Sequence, residues 1–214
     1  MEVLQLANNT AAFMGIVASV LSSVAKAEPC PDQYVGLVRD LAQANDFPQR
    51  LPAEDRPQGV RAVILVIESP HIREYQGPPG PAKGKTGENI RAYLRDVLNS
   101  HTLDDHGLIL INAIRYQCSL GVPTRVFRDQ VFRQAWLSFG RSDFKNRLTN
   151  VYSEGDILVN GCTKGNTKDE TLELRRMVEA AIHELWPQSP TGSDERVYHP
   201  SSWHFAQNRT GRWP

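Results

Sequence analysis

Ala62-Val63-Ile64-Leu65-Val66-Ile67 is the stretch that most limits the folds open to this chain. Its residues are all apolar and mostly β-branched. An uninterrupted run of this kind fits a strand buried on both faces, as in the middle of a parallel sheet. It stops at Glu68-Ser69-Pro70-His71. Proline has no N–H to donate to a central ladder, so the strand ends there. An acid, a hydroxyl and an imidazole stand at its carboxyl end. In open α/β sheets that edge is where ligands bind.

The same pattern recurs. Leu108–Ile111 ends at Asn112, Ile157–Val159 ends at Asn160-Gly161, and a short run, 196–198, ends at His199-Pro200-Ser201-Ser202-Trp203. Helical periodicity fills the intervals: 3–26, 32–44, 87–99 with Thr86 as its cap, 124–148 and 168–186. Segments 46–60 and 72–87 read as loops, the latter stiffened by Gly77-Pro78-Pro79-Gly80-Pro81. Alternating strands and helices predict a three-layer α/β/α sandwich with a central, mainly parallel sheet of about four strands. The 214 residues suit a single domain, with 1–60 as an N-terminal helical part and 61–205 as the core.

Composition removes several classes. Lys plus Arg equals Asp plus Glu at 24 each, so any nucleic-acid contact must use local charge. Cys30, Cys118 and Cys162 are far apart and form no CxxC or Cys/His spacing, so no zinc site or iron–sulfur cluster is expected. Reduced thiols fit a cytoplasmic protein. Residues 11–24 are fairly apolar and Ala25-Lys26-Ala27 resembles a cleavage site. Glu2 and the lack of Lys or Arg before residue 25 do not match a signal peptide. A packed N-terminal helix is expected, with no membrane association.

Four strand ends bring polar groups to one edge: Glu68 and Ser69, Asn112, Asn160, and His199. No GxSxG elbow and no GxGxxG loop is present. An Asn amide offers a donor and an acceptor, and so reads a base edge bidentately. His199 suits negative charge on a leaving group. Ser201 and Ser202 suit phosphate oxygens. Trp203 is placed either to wedge into a base stack or to pack in the core.

These residues carry a resemblance to the uracil-DNA glycosylase superfamily over about 62–205, in order. Val66-Ile67-Glu68-Ser69-Pro70-His71 is similar to its water-activating motif. Gly87-Glu88-Asn89-Ile90 resembles the helix start after its proline-rich loop. Gly107–Ala113 resembles the strand whose Asn reads the flipped base, and His199-Pro200-Ser201-Ser202-Trp203 resembles its His-Pro-Ser-Pro-Leu loop. The resemblance implies a cofactor-free, monomeric enzyme that flips a nucleotide out of DNA and hydrolyses its N-glycosidic bond. Glu68, Ser69 and His199 would form the catalytic set, and Asn112, His71, Tyr75 and Asn160 would contact the base. Ser201, Ser202, Trp203, Lys83, Lys85 and Arg209 would hold DNA.

Two departures bear on the substrate. Ser69 stands where the best-known branch has an Asp, which leaves Glu68 as the acid. His71 stands where that branch has a Tyr that closes the pocket against 5-substituted bases. A modified pyrimidine is therefore expected, and glucosylated hydroxymethylcytosine of phage DNA is one candidate. An ordinary uracil glycosylase of DNA repair, an inactive DNA-binding module and a nucleoside hydrolase are the alternatives. So are bland roles residue by residue: Glu68 in a salt bridge, His199 in a turn, Asn160 as a strand-end residue, Lys83 and Lys85 as solvated charges.

Overall fold

The computed structural model describes residues 2–20, 25–42, 45–99, 101–119, 124–188 and 195–214. A five-stranded sheet runs in the order β2-β1-β4-β3-β5. β3 (Ala62–Ile67) is central and parallel both to β4 (Gly107–Asn112) and to β5 (Ile157–Asn160). β1 (Gln33–Leu37) pairs antiparallel with β4 and with the short β2 (Leu51–Pro52), so the sheet is mixed with a parallel centre. All residues of β3 and β4 are buried. This is why their sequences read as unbroken apolar runs.

The pleat divides the core in two. Ala62, Ile64 and Val66 face a layer built from α1 (Glu2–Val20), α4 (Thr124–Ala135), α5 (Arg141–Val151) and α6 (Leu174–Leu185). Val63, Leu65 and Ile67 face α2 (Val38–Leu41), α3 (Lys85–Val97) and Trp203. Helices thus cover both faces, giving three α/β/α layers. A π-turn, Trp136–Gly140, joins α4 to α5, so the expected helix over 124–148 is one nearly continuous rod to Val151.

Several elements differ from the sequence pattern. Residues 33–37 are strand, not helix, because Gly36 adopts φ +111° and Tyr34 and Gln33 pair with Ile109 and Leu110. The run 196–198 forms isolated bridges, Asn160 to Arg196 and Val197 to Arg212, and not a strand. Helix α3 begins at Lys85 with Gly84 at its N-cap, and Thr86 lies inside the first turn. α6 begins only at Leu174, after Asp169 turns the chain by accepting from Thr171 N–H. Positions 21–24 of the expected first helix lie outside the described residues. In α1 the stretch Val3–Val20 is long and apolar enough to cross a membrane by length and composition. Phe13 and Val17 of this helix pack into the core, whereas Val3 and Leu4 are exposed.

The carboxyl end of the sheet is fixed by a buried cation. Arg147 of α5 donates to both Asp32 carboxylate oxygens at 2.7 and 2.8 Å and to Asp143 at 2.8 Å. It also donates to the carbonyls of Asn112 and Ala113 at 3.0 and 3.2 Å. Removing one partner of such a buried pair strands the other charge. Arg147→Met is therefore expected to lose about 3–5 kcal/mol of stability in urea denaturation, and Asp32→Asn added to it to recover part of that loss.

Candidate active site

Strand pairing extends past the ends of β3, β4 and β5 and sets the edge. Ala113 and Ile114 N–H donate to the Ile67 and Glu68 carbonyls at 2.8 and 3.0 Å, and Gly161 N–H to Val66 at 2.9 Å. Glu68 is thereby held in a fixed direction at the tip of the sheet. The His199 turn is placed from the other side. Asn89 of α3 donates to the Pro200 carbonyl at 2.9 Å, and the buried Trp203 indole donates to the Tyr198 carbonyl at 2.6 Å. The proline-rich loop returns to α3 through a close contact. A Cβ at Gly87 would sit 1.9 Å from the Ala82 carbonyl oxygen, so only glycine fits. Ala82 itself has φ +57°, a strained value for a residue with a side chain.

These elements enclose a cavity of about 390 Å³ lined by Glu68, Ser69, His71, Lys83, Lys85, His199 and Ser201. The expected residues are joined in the lining by Ile67, Arg73, Glu74, Thr86, Ser119 and Arg128. A slightly larger groove of about 500 Å³ lies elsewhere, lined by segments 53–61 and 150–156. It brings together no strand carboxyl end and no histidine.

The acid–base groups of the cavity are tuned apart. Glu68 is buried, and desolvation raises its carboxyl to about 7. Arg128 Nε at 3.4 Å and the Ser69 hydroxyl at 3.0 Å oppose that rise without cancelling it. Burial lowers His199 to about 4, and the Arg128 charge adds to the effect, so the ring is neutral at pH 7. Its Nδ1 accepts the Ser201 backbone N–H at 3.2 Å. The proton of the neutral ring then belongs to Nε2, which is left as a donor. His71 is arranged alike: its Nδ1 accepts from Arg73 N–H at 3.3 Å, and burial and Arg73 lower its pKa.

Several expected site residues are engaged elsewhere. Asn160 is fully buried and donates to the Arg175 carbonyl and to Glu179, while its side-chain oxygen accepts from Cys162 N–H, so it locks α6 to β5 and does not line this cavity. Trp203 is a core anchor of the His199 turn and does not project as a wedge. The Ser202 hydroxyl donates to the His199 carbonyl at 2.8 Å. Arg209 stacks over Tyr93 at 4.5 Å, away from the lining. Lys83 does line the cavity, but its ammonium also donates to the Gln76 and Pro78 carbonyls of its own loop. Lys85 pairs with Glu88 at 3.2 Å. Among the described residues the Tyr75 hydroxyl is buried without a hydrogen-bond partner, and both it and the Asn112 amide lie outside the lining.

Two functional candidates escape sequence reading. Arg128 sits in a polar helix stretch that gives no hint of Glu68. Glu74 lies in a segment expected to be an open loop, yet the 3-10 turn Ile72–Tyr75 buries it. Desolvation raises its carboxyl to about 8, against the His71 and Ala82 backbone N–H groups, the Asn112 amide and the Arg50 charge. Comparison of the chain with protein families, with curated proteins and with solved structures finds no match.

Both carboxyls bind protons more tightly in the folded than in the unfolded chain. Their contribution to stability is complete below about 4.5 and is lost as pH rises through about 7 and about 8. Raising the pH from 6.5 to 8.5 is expected to cost the wild type on the order of 1–3 kcal/mol relative to Glu68→Gln/Glu74→Gln. Thermal melts at both pH values measure this; parallel shifts would contradict the assignment.

Proposed function

We propose that the protein is a DNA glycosylase that hydrolyses the N-glycosidic bond of a flipped, modified pyrimidine. The observation that supports this reading best is that Glu68 and His199 line one cavity with opposite tuning. Glu68 is poised near neutrality to accept a proton, and His199 is held neutral with Nε2–H free to donate. Hydrolysis of an N-glycoside needs that pair. The C1′–N bond breaks with its electrons going to the base, and His199 Nε2–H stabilises the negative charge that develops there. Water adds its oxygen to C1′, and Glu68 takes the water proton. Ser69, donating to Glu68, orients the carboxylate and does not replace it.

DNA would approach over the rim formed by Lys83, Lys85 and Ser201. A cavity of about 390 Å³ exceeds what one unsubstituted pyrimidine ring requires, and His71 lines it. A base enlarged at its 5-position, such as glucosylated hydroxymethylcytosine of phage DNA, fits this shape, and anti-phage defence in the cytoplasm is the corresponding role. The reaction as written needs no cofactor.

Incubation with uracil oligonucleotides and with glucosylated phage DNA, read as alkali-labile breaks, tests the proposal. Release is expected from the phage DNA, with a rate that rises between pH 6 and 7.5 as Glu68 ionises. His199→Ala and Glu68→Gln are each expected to lower the rate by about 10²-fold or more, and Glu68→Gln to flatten the pH dependence. Breaks confined to uracil DNA would overturn the modified-base assignment. Intact strands in every substrate would overturn the glycosylase.

A further inference from the structure

The Glu68 carboxyl meets two donor side chains, and both converge on one oxygen. The Ser69 hydroxyl donates to Oε1 at 3.0 Å, and Arg128 Nε lies 3.4 Å from the same atom. Oε2 accepts from no described residue and stays in contact with open space. Glu68 lines the cavity, so Oε2 is the oxygen it offers there. Arg128 is itself held from behind. Asp129 Oδ1 accepts from its Nε at 2.7 Å and lies 2.7 Å from Nη2. Asp129 is buried and does not line the cavity, and its Oδ2 accepts from Asn166 N–H on the loop that follows β5. Beside it Gly165 adopts φ +82°, with Asp129 Oδ2 3.0 Å from where a Cβ would stand. α4 and that loop therefore fix the guanidinium before any substrate arrives.

We infer that Arg128, clamped by Asp129, is a positioning residue that holds Glu68 by Oε1 and leaves Oε2 as the oxygen that takes the proton of the attacking water. This rests on the hydrolytic reading above and adds to it the atom that acts and the residues that aim it. The terminal torsion of a glutamate is broad, so an unheld carboxylate meets water with either oxygen at varying angles. Fixing Oε1 removes that freedom, and a misplacement of about 1 Å near a reacting centre costs on the order of 10²-fold in rate. A guanidinium suits the task better than an ammonium, because its planar fork keeps two N–H groups on Asp129 while Nε stays beside Glu68. The other titratable groups around the Glu68 carboxyl do not cross its range. Burial raises the Cys118 and Cys162 thiols, which follow β4 and β5, well above their ordinary value. Desolvation, the larger cause of the low His199 value, does not depend on Arg128. Glu74 titrates higher, at about 8, and Arg128 is not among the charges that act on it.

Single-turnover base release followed against pH separates charge from aim, with glucosylated phage DNA as the probe, or the uracil oligonucleotide if that is the one cleaved. Arg128→Met removes the cation that favours ionised Glu68. The midpoint of the rate is expected to move up from about 7 by at least about one pH unit, and the plateau to fall about ten-fold or more. Asp129→Asn removes an opposing anion and frees the guanidinium, so the midpoint is expected to move down while the plateau again falls. Arg128→Lys keeps the charge and loses the fork: its midpoint is expected within about half a unit of the wild type, with the plateau still lowered. The DNA concentration that half-saturates the rate is expected to change less than about three-fold in all three variants. An unchanged plateau in Arg128→Met and Asp129→Asn, a full wild-type plateau in Arg128→Lys, or a loss confined to DNA affinity overturns the inference and leaves the glycosylase standing. If the wild type releases no base from either DNA, the excision reading falls, and titration of Glu68 by carbon NMR decides on the hold alone. Opposite shifts in Arg128→Met and Asp129→Asn then support it, and coincident curves overturn it. Should Arg128→Met fail to fold, Arg128→Lys and Asp129→Asn decide.

Discussion

The buried guanidinium of Arg147 is the constraint on which the rest of the sheet edge depends. One side chain ties α5 to the residue that precedes β1, and to the carbonyls that close β4. Those carbonyls belong to Asn112 and Ala113, and the Ala113 and Ile114 N–H groups in turn carry the end of β3, where Glu68 stands. Without the cation, the chain leaving β4 would have two inward carbonyls with no donor. Asp32 would also keep a buried charge without its counterion. The guanidinium stays ionised because two carboxylates, Asp32 and Asp143, outweigh its desolvation and hold its pKa above the usual arginine value.

The parallel centre of the fold was legible in the sequence because β3, β4 and β5 are buried on both faces. Burial on both faces leaves a signal that no neighbour can erase: an apolar run cut off by a polar residue. β1 escaped because Tyr34, Leu37, Val38 and Leu41 also satisfy a helical spacing. Only the backbone at Gly36 and its pairing with β4 decide for a strand. Arg196 and Val197 form only isolated bridges, since a short stretch needs continuous partners to become a strand.

The site was legible where strand ends deliver side chains and opaque where loops fold back. Glu68, Ser69 and His71 follow the carboxyl end of a central parallel strand, and the turn that carries His199 is anchored by Asn89 of α3 and by Trp203 so that it shares the cavity with them. Asn160 sits at such an end too, but its amide turns inward to serve α6. Pattern gives the position of a strand-end residue and not its rotamer. Glu74 and Arg128 had no pattern at all. Their significance comes from burial beside the cavity, which depends on how the proline-rich loop and α4 pack.

The cavity draws one group from each of the three layers: Glu68 from the sheet, His199 from a turn anchored on α3, and Arg128 from α4 on the opposite face. The two cores that support His199 and Arg128 share no side chains, because the sheet separates them. The spacing among the three groups is therefore a measure of how the two helical layers sit against the sheet. A slip of either layer by a fraction of a side chain would detune the site while both cores stayed intact. Such an arrangement behaves as a mechanical gauge, and stiffening one layer alone would not make it more accurate.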